Sequence, residues 1–572
     1  MKNKNQNRSK SLLFHDIVLF SIMGVLAGCG LIYEYLLSHY AGRVLGAVEQ
    51  VIFAMIGIMI VSMGLGAFAA RVIKSHFTAF AWLELVIALT GATAVLVLAS
   101  ITAMANLLPQ ILMDTFQLPP DLIPKGGMIN WAYSVARVMP YVAGFILGFM
   151  IGMEIPLVAS IRETIYGEHI QHNTGSIYGA DYIGAGIGAA LWVLFMLSLP
   201  PTTASIITAS VNLLVGLVFY AVYRKRIHFG LAILAAHIGI IALLVIIAIN
   251  GEQWDKAMED LMYKDKVIFS YDTQYQHVTI TERIMDPAKP KIISMFINGR
   301  SQFASNDEQI YHSMLVTPVM QASARHNEVL IIGGGDGLAL REVLRWQPQS
   351  VDLVDLDEVI VEFFSKPYLK EGVPINEALI ELNEYAFQDP RVHTHFGDAF
   401  NKVDELIQQG RRYDTIIVDL PDPSHPDLNK LYSARFYAKL NSLLLGDGAM
   451  VVQSTSPYHA KSTFLSIGKT IKFAGFLHVE QYHHNVPSFG EWGWTIATKN
   501  GVSAKARISN VDKLEVDDGW STKGVLLAAF EFNKHFFDGL DSIKINRINE
   551  QAIYQYHLTD WEKQQGIYLI EK

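Results

Sequence analysis

VLIIGGGDGLALREVL, residues 329–344, decides the fold. An apolar run of strand length meets a turn of four glycines and one aspartate, and then a helix-forming segment. The consecutive Gly333, Gly334 and Gly335 let the backbone turn sharply and approach a ligand, since no Cβ stands in the way. Asp336 adds a carboxylate at the same turn. A pyrophosphate loop avoids negative charge there, because helix N-termini attract anions. The loop therefore suits a nucleoside with a cationic tail; alone, it would leave a lesser place for a tight turn that binds nothing.

Three further segments repeat the pattern. VDLVDLDEVI (351–360) is a second strand that ends in acidic residues about 20 positions after the glycines, where an acid usually meets ribose hydroxyls; Asp355 is the candidate. RVHTHFGDAF (391–400) places Asp398 after a glycine at a strand end. YDTIIVDLPDPSHP (413–426) is a buried strand that opens onto Asp419 and Asp422. In open α/β sheets ligands sit beyond the carboxyl ends of the strands, so Asp336, Asp355, Asp398 and Asp419 are expected in one crevice. A single aspartate after a strand is more often a turn or helix cap than a ligand. Four in succession point to a site.

Together GGGDG, D-x-D-E, GDA and D-x-x-D-P resemble the aminopropyltransferases, spermidine synthase and its relatives. TQYQHVTI (273–280) and INGRSQFASNDEQIYHSML (297–315) resemble that family's substrate-gating β-region. The resemblance runs over about residues 266–499. The Rossmann-like half alone would also fit a methyltransferase; Asp419-x-x-Asp422-Pro423 and Tyr311-His312 separate the two.

The resemblance implies transfer of an aminopropyl group from decarboxylated S-adenosylmethionine to an amine, typically putrescine, leaving methylthioadenosine. Both reactants are cations, which a carboxylate-lined pocket attracts. Ordinary S-adenosylmethionine would set its extra carboxylate against Asp336. The amine attacks only as a free base, and the resemblance makes Asp419 the proton acceptor. It implies that Gln276, Gly333, Gly335, Asp355, Asp398, Ala399 and Pro426 hold the donor nucleoside. Asp336 and His312 would hold amino groups, Tyr311 the amine near the reacting centre, and Asp422 the acceptor. No metal and no redox cofactor are implied, because the sulfonium is already a good leaving group.

Several positions depart from the family pattern. Asp355 stands where glutamate is common and Ala399 where glycine is typical. The gating loop reads DLPDPSHPDLNKLYS (419–433), without the usual small residues. In VPSFGEWGW (486–494), Phe489 occupies the region where a tyrosine is frequent, and Glu491 is the candidate to compensate in polyamine binding. Donor and reaction type are thus better specified than the acceptor.

The other half of the chain is apolar. The 572 residues are 51% hydrophobic and 17% charged, with positive mean hydropathy, which is too apolar for an ordinary soluble protein. About seven segments are long enough to cross a bilayer, near 14–37, 50–73, 79–104, 135–160, 175–199, 202–223 and 228–250. Gly144, Gly148 and Gly152, and again Gly184 and Gly188, are spaced to let helices pack closely. Glu34, Glu84, Glu154 and Asp181 lie in or beside these spans. They either line a path for polyamine cations or sit near headgroups and pair within the bundle. GCGLIYEYLLSHYAGRVLG (28–46) resembles the start of membrane-fused members of the family.

The expected architecture is a multi-pass α-helical membrane domain (1–250), a linker (251–265), a small β-region (266–325), an α/β Rossmann-like, methyltransferase-type catalytic domain (326–500) and a C-terminal extension (501–572) of unassigned role. In that extension Val516, Trp520, Val525, Leu526 and Phe530 suggest a helix on the catalytic core. Lys2, Lys4, Arg8 and Lys10 place the N-terminus inside, and Arg71, Lys74, Arg162 and Arg224–Arg226 mark alternate loops as inside. Seven crossings would then put the catalytic domain outside, whereas the donor is made in the cytoplasm. The chemistry favours a cytoplasmic catalytic side at the inner membrane, with a re-entrant piece in the proline-bearing stretch 106–131 as one resolution. Cys29, the only cysteine, excludes intrachain disulfides. A net charge of −9 argues against nucleic-acid binding. The implied partners are polyamine and nucleoside substrates, a lipid bilayer and a possible second copy of the chain. Two rivals remain at this point: a polyamine transporter or sensor whose soluble domain binds without turnover, and a methyltransferase-like enzyme acting on another amine.

Overall fold

A computed structural model describes all residues except 1, 46–47, 117–126, 168, 198, 264, 274, 371–372 and 565–572. The chain divides into two compact units, Met1–Val267 and Ile268–Lys572.

The first unit is helical: α1 (Lys2–Leu45), α2 (Val48–Ala69), α3 (His76–Phe116), α4 (Gly127–Gly152), α5 (Glu154–Tyr166), α6 (Asn173–Leu191), α7 (Pro201–Tyr223) and α8 (Gly230–Tyr263). Taken with α4 and α5 as one segment, seven helices among the described residues are long and apolar enough to cross a membrane. The break between α4 and α5 falls at Met153. Pro156 explains it: its ring crowds the carbonyl four residues back and it donates no hydrogen bond. The two glycine stripes work as contact faces. A Cβ at Gly148 would lie 2.3 Å from Ser62 Oγ, and one at Gly152 2.0 Å from the Met63 carbonyl, so α4 meets α2 at backbone distance. Gly184 and Gly188 likewise face Gly24 and Gly28, joining α6 to α1. The bundle is apolar outside as well as inside, with Phe53, Ile60, Val61, Leu194 and Ile249 exposed. Residues 251–263, read as linker, are the last turns of α8. Of the stretch read as a re-entrant piece, Pro109 lies inside α3, while Pro119, Pro120 and Pro124 lie outside the described residues.

The second unit opens with a four-stranded sheet, β1 (Lys266–Asp272), β2 (His277–Arg283), β3 (Ile292–Ile297) and β4 (Arg300–Ala304), in sequential order. Asn298 and Gly299 join β3 to β4 with φ of 49° and 77°, the left-handed pair that a tight hairpin demands. Helix α9 (Glu308–Ala322) leads into the main sheet: β5 (Glu328–Gly333), β6 (Ser350–Asp355), then the short ribbon β7 (Leu369–Lys370) and β8 (Val373–Pro374), and β9 (Val392–Phe396), β10 (Tyr413–Asp419), β11 (Leu444–Gln453), β12 (His478–Val486) and β13 (Gly490–Thr498). The main sheet runs β12-β13-β11-β10-β5-β6-β9. Strands β9, β6, β5, β10 and β11 are parallel, and the β12–β13 hairpin closes one edge antiparallel. Helices cover both faces: α10 (Leu338–Leu344), α11 (Glu358–Ser365), α12 (Glu377–Leu382), α13 (Ala399–Gln408), α14 (Pro426–Asn429), α15 (Ala434–Leu443) and α16 (Lys461–Phe473). Two-sided burial is why VLII and TIIV read as continuous apolar runs.

The chain goes from β5 outward to β6 and β9, then returns to β10 on the other side of β5. The reversal of strand order therefore lies between β5 and β10, where such sheets hold ligands. Register puts Asp419 directly opposite Gly333. The extension holds α17 (Ala504–Ser509), α18 (Lys523–Ala528) and α19 (Ala552–Gln564). The helix expected over 516–530 is confined to α18; Leu526 and Phe530 are buried against the core, and the preceding segment is irregular.

Candidate active site

The glycine turn is built for close approach. Gly333, Gly334 and Gly337 have φ of 83°, 68° and 77°, a region closed to most side chains. A Cβ on Gly333 would lie 2.0 Å from the Asp419 carbonyl, and one on Gly335 would lie 2.8 Å from Asp355 Oδ2. These glycines bring the ends of β5, β6 and β10 together.

Most acids at the strand ends accept from a backbone N–H two residues on, and Asp398 thereby caps α13. Asp336 accepts from Leu338 N (2.9 Å), Asp355 from Asp357 N (2.9 Å) and Asp398 from Phe400 N (2.9 Å). Asp419 differs, since its partner is a side chain: Tyr311 Oη donates to Oδ1 at 2.7 Å. Tyr311 is held in turn by Trp494 and Phe489, with ring centroids 5.6 and 5.8 Å away.

Burial and mutual repulsion raise the acids. The Asp419 carboxyl is pushed up to about 6, first by burial and then by Asp336, against the cationic His312 ring and the Tyr311 hydroxyl. Asp355 is pushed up to about 7 by burial, Asp357 and Asp336. Burial likewise raises Asp336 and Asp422. A Cβ on Gly334 would lie 3.5 Å from Asp419 Oδ2 and one on the next residue, Gly335, 2.8 Å from Asp355 Oδ2, so these two acids meet at the turn that carries Asp336. Such a crevice attracts cations and can take up a proton near neutrality.

His312 is held by a partner that the sequence did not point to. Its Nδ1 bonds the Glu308 carbonyl (2.8 Å) and carboxylate (2.9 Å), so it carries the proton. Burial opposes charge on the ring, but Glu308 outweighs burial and raises it to about 8. Glu308, against its own burial, is held down to about 2 by His312 and Arg341. A protonated ring beside Asp336 and Asp419 is a counter-charge to those acids and a poor partner for an ammonium group.

The remaining candidates fall around this centre. Gln276 donates to Asp357 Oδ2 (3.2 Å), which also accepts from Thr273 (2.5 Å), while Asp357 Oδ1 accepts from Val359 N and caps α11. Asp398 pairs with Lys430 at 2.6 Å, and the neighbouring Ala399 is buried. Pro426 opens α14, after His425 as its cap. Asp422 accepts from Gln453 Nε2 (3.3 Å) and Thr455 Oγ1 (3.1 Å). Glu491 points elsewhere: its carboxylate is held by His483, on the face of β13 opposite Trp492 and Trp494.

Sequence reasoning missed several of these partners. Asp357 lay inside a quoted motif but had no role. Gln453 and Thr455 end β11 as QSTSP, a polar strand end of the kind that flagged the aspartates. Thr455 has φ of 60°, strained for a β-branched residue and held by its bond to Asp422. Arg300, next to Asp422 electrostatically, and Lys430 gave no signal. From the extension, Asn546 Nδ2 donates to the Asn429 and Tyr432 carbonyls (3.0 and 3.1 Å), and Asp560 accepts from Ser462 N (2.9 Å) at the start of α16. The extension thus clamps the end of the loop 419–433.

Known proteins are similar to this chain. Residues 308–508 match the spermine/spermidine synthase domain. A polyamine aminopropyltransferase of Shewanella oneidensis is 52% identical over 97% of this chain and 96% of its own length. Polyamine aminopropyltransferase 1 of Streptomyces coelicolor is 31% identical over 94% of this chain and 93% of its own. A crystal structure of spermidine synthase in complex with the transition state analogue AdoDATO is 23% identical, with a TM-score of 0.41, and covers 48% of this chain and 88% of that one. The chain belongs to the polyamine aminopropyltransferase family. Its synthase domain follows a fused N-terminal helical unit, and the similarity to the Shewanella relative extends through both.

Proposed function

We propose that this enzyme transfers the aminopropyl group of decarboxylated S-adenosylmethionine to putrescine, giving spermidine and methylthioadenosine, with Asp419 as the proton acceptor. The amine nitrogen attacks the methylene carbon beside the sulfonium. The carbon–sulfur bond breaks onto sulfur, and the ammonium proton passes to the Asp419 carboxylate. Support comes above all from one observation: Asp419, raised to about 6, faces the glycine turn at the strand reversal and is bonded by Tyr311. In this reading Asp355 holds the ribose, and Gln276, steadied by Asp357, touches the methylthioadenosine portion. Asp398 with Ala399 meets the adenine edge, Pro426 closes the loop over the nucleoside, Asp336 takes the tail ammonium and Asp422 the acceptor. The reading calls for no metal or redox cofactor, because the sulfonium leaves unaided.

Methylthioadenosine release by the purified protein, with decarboxylated and ordinary donor and a panel of amines, tests this. Product should form only with the decarboxylated donor. Asp419→Asn should lower turnover by roughly 10²–10⁴-fold with methylthioadenosine affinity retained; full turnover in that variant would refute the assignment. A second reading, an acceptor carrying less positive charge than putrescine, is favoured by the Arg300 charge that acts on Asp422, and the amine panel separates the two.

The seven helices are proposed to cross the inner membrane, with the catalytic unit on the cytoplasmic side where the donor arises. Their length, composition and apolar outer faces support the crossing. An odd number of crossings and the basic residues on alternate loops favour the other side. Alkaline phosphatase fused after residue 572 decides: activity in intact cells means an exported catalytic unit.

A further inference from the structure

We propose that the helical unit contains its own binding site for a polyamine ammonium group, formed by Glu84, Glu154, Tyr33 and His237. The proposal rests on the polyamine chemistry assigned to the catalytic unit but not on the residues of that unit. Five helices supply the site: Tyr33 from α1, Glu84 from α3, Glu154 at the break that opens α5, Asn212 from α7 and His237 from α8. Each of these side chains is 1% exposed. Glu84 and Glu154 lie within electrostatic reach of each other and of Tyr33, and Asp181 of α6 lies within reach of Glu154.

The hydrogen bonds leave a defined surplus. Asn212 Nδ2 donates to Glu84 Oε2 at 2.9 Å and fixes that carboxylate. Glu84 Oε1, Glu154 Oε2, His237 Nε2 and Tyr33 Oη have no hydrogen-bond partner among the described residues. His237 Nδ1 lies 2.9 Å from the Ile233 carbonyl. A carbonyl only accepts, so Nδ1 carries the proton and Nε2 presents a lone pair. Gly216 brings two of these groups together: a Cβ there would sit 3.3 Å from Glu84 Cβ and 3.4 Å from His237 Nε2.

Two carboxylate oxygens and an imidazole nitrogen, all acceptors and all buried, call for a donor, because leaving them unmet is costly. A primary ammonium brings three N–H groups and a positive charge. Around the acceptors the interior is apolar, with Leu213, Ile233, Ile240 and Leu244 buried, which suits the polymethylene chain that joins the amines of a polyamine.

Equilibrium dialysis of radiolabelled spermidine against the full chain in lipid nanodiscs tests the site. Glu84→Gln and Glu154→Gln should each weaken one bound equivalent at least tenfold, while aminopropyl transfer stays within twofold of wild type. Tyr33→Phe keeps the ring in its space and should weaken the same equivalent about threefold. Glu34→Gln, elsewhere on α1, should change nothing. Unaltered binding in both glutamate variants overturns the proposal, and so does an equal loss in Glu34→Gln. Absence of transfer in the wild type would instead sink the catalytic reading, with the dialysis still reporting on this site.

Discussion

Replacing Tyr311 with phenylalanine tests the proposed base through its pH dependence. The Tyr311 hydroxyl donates to Asp419 at 2.7 Å and favours the carboxylate. The ring's contacts with Trp494 and Phe489 do not need the hydroxyl, so packing should survive. A hydrogen bond to a charged group is worth about 1.5–3 kcal/mol, and one pKa unit corresponds to about 1.4 kcal/mol. Losing the bond should therefore raise the Asp419 carboxyl from about 6 by roughly one to two units. The base works only when deprotonated, so the acid limb of kcat should move upward. At pH 7 the deprotonated fraction would fall from about 0.9 to between about 0.5 and 0.1, a loss of roughly two- to tenfold, recovered near pH 9. Full pH profiles of kcat for both proteins, with one acceptor, cancel the amine's own ionisation. An unmoved acid limb, or one displaced downward, would refute Asp419 as the base.

Three other perturbations bear on the supporting residues. Glu308→Gln breaks a buried pairing with His312 and Arg341 and should destabilise the catalytic unit by about 3–5 kcal/mol in a melting experiment. His312 is raised to about 8, so its share of stability is present below about 6.5 and lost as pH rises through 8; Glu308, held at about 2, contributes above about 4.5 and loses its share as pH falls toward 2. The gap in melting temperature between wild type and Glu308→Gln should therefore be widest between those limits. Gly335→Ala pushes on Asp355 and should weaken methylthioadenosine roughly tenfold in a binding titration, the loss of about one charge-assisted hydrogen bond. Asn546→Ala leaves the Asn429 and Tyr432 carbonyls without that donor, so limited proteolysis should cut the gating segment faster and the donor KM should rise.

The sequence by itself determined what depends on neighbours along the chain. Glycines without a Cβ make the turn at 333–337 legible, apolar runs buried on both faces mark the parallel strands, and long uncharged segments mark the seven helices. Four-residue glycine spacing identified the faces where α4 meets α2 and α6 meets α1. Tertiary structure decided what depends on strand order and on which way a side chain points. Asp419 lies opposite Gly333 only because the chain returns to the far side of β5, and no local pattern encodes that return. Glu491 was placed in the pocket from its position in the chain. Side chains alternate along a strand, so it sits one face away from Trp492, paired with His483. His312 was recognised, but its charge is set by Glu308 and Arg341, and Arg341 comes from another helix. The clamp of the extension on the gating segment joins residues over 100 positions apart, a distance at which only packing in three dimensions selects partners.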